Sequence, residues 1–574
     1  MLSKTRHTAL IFAMVLCCAP LFAQDLDAIG KENPLTVSGG VSVNQMLYAA
    51  SGIESRRDPY SFYTAGNLNL NLYGWNVPLS FSYSNQQTSF HQPFNQYSMH
   101  PTYKWVTGHI GYTSMSFSPY TVNGHIFLGG GVDVEPDGKW KFSALYGRFM
   151  KPVELGSTID YSSLPAYKRM GYGMKASYGD AGNFVDLILF HASDKVSSIG
   201  PVPDSLQIFP MENLVASIAA GKTFLENFVL RAELASSALS HDIRAVETDP
   251  AALFGRMGLL YTSRTTSSYY KAFKSSFDYR KDAYSIGVGF ERIDPQYRTL
   301  GAYYFNNDLQ NLTLNGSASL LQGKVNLAAS GGSQRDNLDD TKMSTMRRMV
   351  GSVNVNYVPS QKMNFAASYS SFQTFTNIRS PFLEINELTP YDNLDTLNYT
   401  QISKSGNLNA MFMIGSSEER RQNLNLNLSV QEASDKQGGV VQNSGNIFYN
   451  GNLSYALSLV PQNLTLSVAF NANINQGELF STHTLGPTAA LSKSLLDKAM
   501  RLSFSTSYNT SYANVQRVGA ILSNRVNGSF SIKQKHNLNL SMALVNRQSN
   551  TETLVQNFTE FTCMLGYGYT FGTK

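Results

Sequence analysis

The sequence predicts an all-β protein, a single transmembrane antiparallel up-and-down β-barrel of about 24 to 26 strands. Three observations predict it. Apolar and polar side chains alternate along most of the chain, short turns alternate with long polar stretches, and the N-terminus has the pattern of an export signal. We therefore divide the 574 residues into a signal peptide, 1–23, and a β-barrel, 24–574.

The predicted signal peptide has basic residues near its N-terminus followed by an apolar run. Lys4 and Arg6 precede the run at 9–18, and Ala23 then offers a small residue for cleavage. A lipoprotein anchor through Cys17 or Cys18 is the alternative, but each lacks the small residue that such an anchor needs before the cysteine. Cleavage after Ala23 would leave one cysteine and hence no internal disulfide.

The composition favours strands that cross a membrane. No later stretch approaches the roughly 18 to 20 uninterrupted apolar residues of a membrane helix. Charged residues make up only 15% of the chain, whereas soluble domains usually carry about a quarter. A mean hydropathy of -0.20 fits strands with one apolar and one polar face. A soluble propeller is disfavoured because no repeat of about 40 to 50 residues is present.

The strand pattern is plainest at the C-terminal end. Within 561–571 every odd position is apolar or aromatic, and the even positions are mostly small or polar. Gly566, Tyr569 and Phe571 resemble the C-terminal aromatic signal of outer-membrane barrels and are the predicted insertion signal. Leucines at 68, 70 and 72 alternate with asparagines in the same way, which predicts a wet face opposite the apolar one.

The predicted connections are unequal in length. Proline and small polar residues form short turns at 136–139, 359–362 and 461–463. Longer polar stretches fall at about 86–102, 194–211, 241–251, 331–346, 377–398 and 432–444. Short turns at one end and long loops at the other are typical of bacterial outer-membrane barrels, whose strand number is even. We find no linker or helical periodicity that would indicate a second domain.

One segment resembles a known group of proteins. It contains Tyr103-Lys104-Trp105, Ser118-Pro119-Tyr120-Thr121, Gly124-His125, Phe127-Leu128-Gly129-Gly130-Gly131-Val132 and Tyr146-Gly147-Arg148. In these motifs residues 92–151 resemble large outer-membrane barrel proteins of Bacteroidota, mostly without an assigned role. The resemblance covers about a tenth of the chain, implies the fold and the location, and carries over no catalytic residue.

The same segment contains the candidate constriction of the lumen. Glycines at 129–131 inside a strand pattern predict a β-bulge or a close backbone approach, which could seat an inward-folded loop. The candidate constriction residues are Ser118, Pro119, Tyr120, Gly124 and His125. The alternative is an ordinary connection between two strands.

Catalytic and metal sites are weakly indicated. His191 and Ser193 share a strand face with Asp194 adjacent, but roughly 7 Å separates neighbours on that face, too far for direct proton transfer. We therefore expect no enzyme. Histidines two or four positions apart are absent, so we expect no metal or other cofactor.

Two clusters of charged residues are candidate binding sites, each with a simpler alternative. Four acidic residues, Glu384, Glu387, Asp392 and Asp395, could gather calcium, but a solvated loop is favoured. The arginine pairs at 347–348 and 420–421 could meet lipopolysaccharide phosphates or line the lumen. With a net charge of only +5, nothing indicates nucleic acid.

Two functional classes remain, a channel or transporter and a structural subunit of a larger outer-membrane or secretion assembly. A TonB-dependent receptor is disfavoured, since its plug domain needs over a hundred residues before the first strand. Because barrels of 16 to 18 strands already leave an aqueous channel, we expect this lumen to be closed by loops or by a protein partner. The other expected partners are membrane lipids, lipopolysaccharide and the outer-membrane insertion machinery.

Overall fold

The alternating runs form the wall of a closed barrel. The structure is a computed structural model that describes residues 35–85, 96–155, 164–249, 260–303, 305–341, 347–375, 400–415, 419–437, 440–441, 446–477, 481–514, 516–549 and 557–572. The predicted signal peptide and the acidic group at 384–395 lie outside the described residues.

The first half of the described chain contains these strands: β1 (Leu35–Ser51), β2 (Tyr60–Leu72), β3 (Trp75–Ser84), β4 (Gln96–Met99), β5 (Thr102–Tyr103), β6 (Val106–Ser116), β7 (Asn123–Val134), β8 (Trp140–Met150), β9 (Lys168–Gly179), β10 (Phe184–Lys195), β11 (Glu212–Phe224), β12 (Phe228–Ser240), β13 (Ser267–Lys281) and β14 (Tyr284–Ile293). Two short 3₁₀ turns, Val196–Ser198 and Asp204–Leu206, follow β10.

The second half contains these strands: β15 (Leu309–Leu320), β16 (Val325–Arg335), β17 (Arg347–Ser360), β18 (Met363–Phe375), β19 (Thr400–Ile414), β20 (Arg420–Gln437), β21 (Val440–Val441), β22 (Asn446–Leu459), β23 (Leu464–Gln476), β24 (Ser481–Leu495), β25 (Met500–Ala513), β26 (Gln516–Ile532), β27 (His536–Ser549) and β28 (Phe558–Gly572).

Successive wall strands pair antiparallel, and the first strand pairs with the last. β4 and β5 are two parts of one wall strand between β3 and β6, and β21 pairs only with the end of β20. Antiparallel pairing of β1 with β28, from Ser38 opposite Gly572 to Ser51 opposite Thr559, closes the wall. The closed barrel therefore has 26 strands, which confirms the predicted fold class at the upper end of the predicted count.

The two faces of the wall differ in chemistry. The large apolar side chains exposed on β27 and β28 all share one face, and they are Leu538, Met542, Leu544, Phe561, Leu565 and Tyr567. At the short-turn end, aromatic rings pair on this face, with centroids 4.8 Å apart for Trp75–Tyr103 and 4.9 Å for Trp140–Tyr178. An apolar band edged by aromatic residues is the composition of a lipid-facing surface, so this is the outer face.

The connections follow the predicted asymmetry, with some longer strands than expected. Turns such as 321–324 link strands at one end, where Leu321, Gln322 and Gly323 all have positive φ. The predicted polar stretch 86–102 contains β4 and the first residue of β5, because a run as short as Gln96–Met99 gives too little alternation to recognise. Similarly, β20 continues to Gln437, inside the predicted stretch 432–444.

A buried core lies inside the barrel near the long-loop end. Its members on β7, β8 and β10 include Phe127, Phe149 and Phe190, each fully buried and on the face opposite the lipid-facing one. Among the described residues, no helix is long and apolar enough to cross a membrane. The core positions the candidate site.

Candidate lumen constriction

The connection between β6 and β7 turns inward and is buried. We call residues 118–124 the first inner segment. The Thr121 backbone N–H donates to the Ser118 carbonyl at 3.3 Å, and the Phe117 N–H donates to the Val122 carbonyl at 2.9 Å, so the segment forms a tight turn. Tyr120 and Val122 are among the largest fully buried side chains. A surface connection would leave such side chains in water, so this one packs against protein.

A second connection, from β14 to β15, meets the first. We call residues 297–301 the second inner segment. Val122 and Gly301 form a parallel bridge, and the Asn123 N–H donates to the Gly301 carbonyl at 3.0 Å. The Thr299 hydroxyl donates to the Thr121 carbonyl at 2.6 Å. These hydrogen bonds to backbone atoms hold the two inner segments side by side inside the barrel.

The wall holds the second inner segment through a polar relay. Asn213 on β11 and Ser237 on β12 are fully buried, and the Asn213 amide donates to the Ser237 hydroxyl at 2.8 Å. The Leu300 N–H donates to Asn213 Oδ1 at 3.0 Å, and the Ser237 hydroxyl donates to the Arg298 carbonyl at 2.7 Å. Because buried polar groups cost free energy unless they are paired, the relay fixes the position of the segment.

Two tyrosines join the inner segments to the wall. The Tyr297 hydroxyl donates to the Tyr120 carbonyl at 2.8 Å, and the Tyr120 hydroxyl donates to the Glu291 carboxylate on β14. Burial, with the carboxylate beside it, raises the pKa of the Tyr120 hydroxyl, and burial raises the pKa of Tyr297. A raised pKa favours the protonated donors, so this stabilisation is complete below the ordinary tyrosine pKa near 10 and falls as pH rises above it.

The candidate constriction residues divide into buried and exposed members. Tyr120 and His125 are buried, and the His125 ring stacks on Tyr303 with centroids 3.9 Å apart. Ser118 Oγ lies 3.0 Å from Thr121 Oγ1 within the turn. Pro119 and Gly124 are exposed, and the Gly124 N–H donates to Ser116 Oγ at 2.9 Å. The buried members attach the segment to the core, and the exposed members face away from it.

The glycines at 129–131 make a close backbone approach without a bulge. A Cβ at Gly129 would lie 2.1 Å from the Tyr146 carbonyl, and one at Gly131 would lie 2.4 Å from Met115 Sδ. The register between β6 and β7 is continuous through these glycines and shifts instead between Ser114 and Ser116. The shift is therefore next to the connection that turns inward.

His191 and Asp194, which are close in sequence, lie on opposite faces of β10. Asp194 and Arg169 form a buried pair, with Arg169 Nε 2.8 Å from Asp194 Oδ1, on the inner face. His191 faces the other way, where His191 Nε2 lies 3.1 Å from Glu212 Oε1. Arg264 also bonds Glu212 there. Asp194 thus belongs to a polar cluster on the inner face, and His191 belongs to another on the outer face.

Sequence reasoning missed two groups of residues. The polar relay and the second inner segment carry no local motif. His100 and His109 are also brought together, with Nδ1 atoms 2.9 Å apart, and His109 Nε2 lies 2.8 Å from Asp133. Within the described chain, no group of three or more potential ligands is placed to hold a metal ion.

The predicted insertion signal lies at the closure of the barrel. Gly566, Tyr569 and Phe571 belong to β28, where Tyr569 is opposite Val41 and Phe571 is opposite Gly39. A Cβ at Gly566 would lie 2.7 Å from Asn44 Oδ1, so this position has room only for glycine unless Asn44 moves.

Replacing Gly301 by valine should separate the inner segments. A Cβ at this position would lie 2.7 Å from the Thr121 carbonyl and 2.9 Å from the Phe190 ring. We expect a larger single-channel conductance, because the added side chain cannot fit between the two segments and the wall. Gly331→Val is the matched control, since a Cβ there meets nothing within 4 Å. Equal conductance of both variants would contradict the assigned contact.

The fold is similar to those of several solved barrels. The translocation pore of the P pilus usher shares 10% identity, with 93% of this chain and 100% of that chain covered and a TM-score of 0.39. An E. coli P pilus tip assembly intermediate shares 11%, with 92% and 60% covered and a TM-score of 0.42. An iron transporter of Neisseria meningitidis shares 12%, with 96% and 83% covered and a TM-score of 0.36. At such values these similarities assign no role. No family model matches the chain, and no curated protein matches it in sequence.

Proposed function

We propose that this chain is an integral outer-membrane β-barrel, non-enzymatic and of the channel or transporter type, with a lumen narrowed by its own inner segments. Its closed wall of 26 strands and its apolar outer face support a membrane location. The observation that carries the proposal is the interlock of Val122 and Thr121 with Gly301 and Thr299 inside the wall.

The large diameter of the barrel supports a partly filled lumen. Barrels of 16 to 18 strands already leave an aqueous channel, and this one is wider. The two inner segments pack on one side of the lumen, against β7, β8 and β10–β14. In this proposal the inner segments narrow a lumen that would otherwise leak freely.

The remaining assignments are part of the same proposal. The chain would belong with the large Bacteroidota barrels that 92–151 resembles, and its outer face would contact lipids and lipopolysaccharide. The insertion machinery would bind the last strand through Gly566, Tyr569 and Phe571. A protein partner could fill the lumen that the inner segments leave.

Planar-bilayer recording of the purified full chain tests the proposed function. We expect discrete channels of low conductance, far below the value for an empty barrel of this strand number. A large, steady conductance would contradict the narrowed lumen. Complete absence of current, together with co-elution of a second protein in mass analysis, would instead favour a structural subunit of an assembly.

A further inference from the structure

Two arcs of the inner wall differ in chemistry. On β7–β14 the inward-facing positions are rich in charge, and the charged residues are Asp133, Lys141, Arg169, Lys175, Asp186, Asp194, Arg231, Glu233, Lys274, Asp278, Arg280 and Glu291. Several of them pair with each other, such as Lys175 with Asp186 at 2.9 Å and Arg169 with Asp194 at 2.8 Å. This side also carries the inner segments.

The next arc, which begins with β15 beside β14, is almost free of inward charge. We call β15–β20 with β22–β25 the asparagine wall, because its inward positions are mostly Asn, Ser, Thr, Ala and Gly. Among its described side chains, the inward charges are Arg421 and Arg501, each the second residue of a strand that follows a short turn. The middle of this wall therefore presents no fixed charge to the lumen.

Hydrogen bonds link the asparagine wall across its strands. Asn409 donates to Asn427, Asn452 donates to Asn471 at 2.6 Å, and Asn471 donates to Thr488 at 3.0 Å. Each Asn amide offers two N–H donors and an oxygen with two lone pairs, so one bond to a neighbour leaves capacity for another partner. Asn409 and Asn427 are exposed. The wall thus offers rows of donors and acceptors in fixed positions.

We propose that the asparagine wall is the path of a neutral, polyhydroxylated solute of the sugar class. Hydroxyl groups both donate and accept hydrogen bonds, which matches a surface of amides and hydroxyls. A charged solute would need fixed counter-charges along its path, and this wall lacks them in its described middle. The proposal rests on the channel function above and adds its substrate class.

Solute permeation and ion selectivity test the proposal in the full chain. In proteoliposome swelling, glucose should enter faster than gluconate or protonated glucosamine, which are of similar size. In bilayers, the cation-to-anion permeability ratio should be near one. Asn452→Asp should raise that ratio by about twofold or more, because it places a carboxylate on the path. Asn463→Asp, on the exposed turn before β23, is the matched control and should leave the ratio unchanged.

The outcomes separate the two proposals. Passage of ions with a strong charge preference, or gluconate entering faster than glucose, would overturn the solute class and leave the channel intact. An unchanged ratio in Asn452→Asp would show that the path lies elsewhere and would also overturn it. Absence of permeation by any solute, in both the intact chain and Gly301→Val, would overturn the channel function and the solute path together.

Discussion

Replacing Tyr120 by alanine is expected to raise the conductance of the barrel strongly. Tyr120 is only 1% exposed, its ring packs at 6.4 Å from the Tyr297 ring, and its hydroxyl bonds Glu291. Truncation of a buried aromatic residue costs about 3–5 kcal/mol. Even 3 kcal/mol raises the population of a displaced segment about a hundredfold. Single-channel recording measures the result.

The control for this variant is Tyr146→Ala. Tyr146 is 62% exposed on the outer face of β8, so its removal leaves the lumen unchanged. Deleting residues 118–121 is the stronger form of the same test. Unchanged conductance in both the deletion and Tyr120→Ala would mean that a bound partner, and not the inner segments, obstructs the lumen.

Replacing Leu540 by arginine should prevent stable insertion, whereas Asn539→Arg should be tolerated. Leu540 lies opposite Leu565 on the outer face, and Asn539 lies opposite Gly566 on the inner face. Arginine facing lipid at mid-membrane costs about 2–4 kcal/mol, whereas the inner face is wet. The measurement is the fraction of purified protein that migrates as the folded species before boiling. Equal losses from both substitutions would reverse our assignment of the two faces.

The wall could be predicted from the sequence because its signal is local. In 561–571 the apolar set at odd positions is the set that lies on the outer face of β28. The turn at 359–362 spans the end of β17 and the link to β18, and the turn at 461–463 lies between β22 and β23. A two-residue period together with a turn is enough to place a hairpin, because neither signal depends on distant parts of the chain.

The contact between the two inner segments could not be predicted, because the residues that form it are far apart in the chain. Thr121 and Thr299 are 178 positions apart, and neither lies in a periodic run. Asn213 and Ser237 look like ordinary inward polar residues, and only the fold brings the Leu300 backbone to them. The first inner segment could therefore be predicted from a resemblance and a run of glycines. The second inner segment, 297–301, carries no sequence signal of its own.

A local sequence signal does mark the strands that support the inner segments. On β8, Leu145 and Phe149 occupy inward positions, although Ala144 and Tyr146 already supply the apolar outer face. Apolar side chains on both faces of a strand indicate burial on both sides. Such strands occur near the inner segments, whereas most inward positions of the asparagine wall are small or polar.

The closure between β1 and β28 also governs when the barrel can be completed. Tyr48 and Glu560, which bond at 2.5 Å across this seam, are 512 positions apart. Until the last strand arrives, β1 keeps an unpaired edge whose N–H and C=O groups cannot remain in hydrocarbon. The seam is thus the step of highest contact order, and it gives biogenesis a natural checkpoint. A nascent barrel whose final hairpin is delayed would stay dependent on whatever shields that edge.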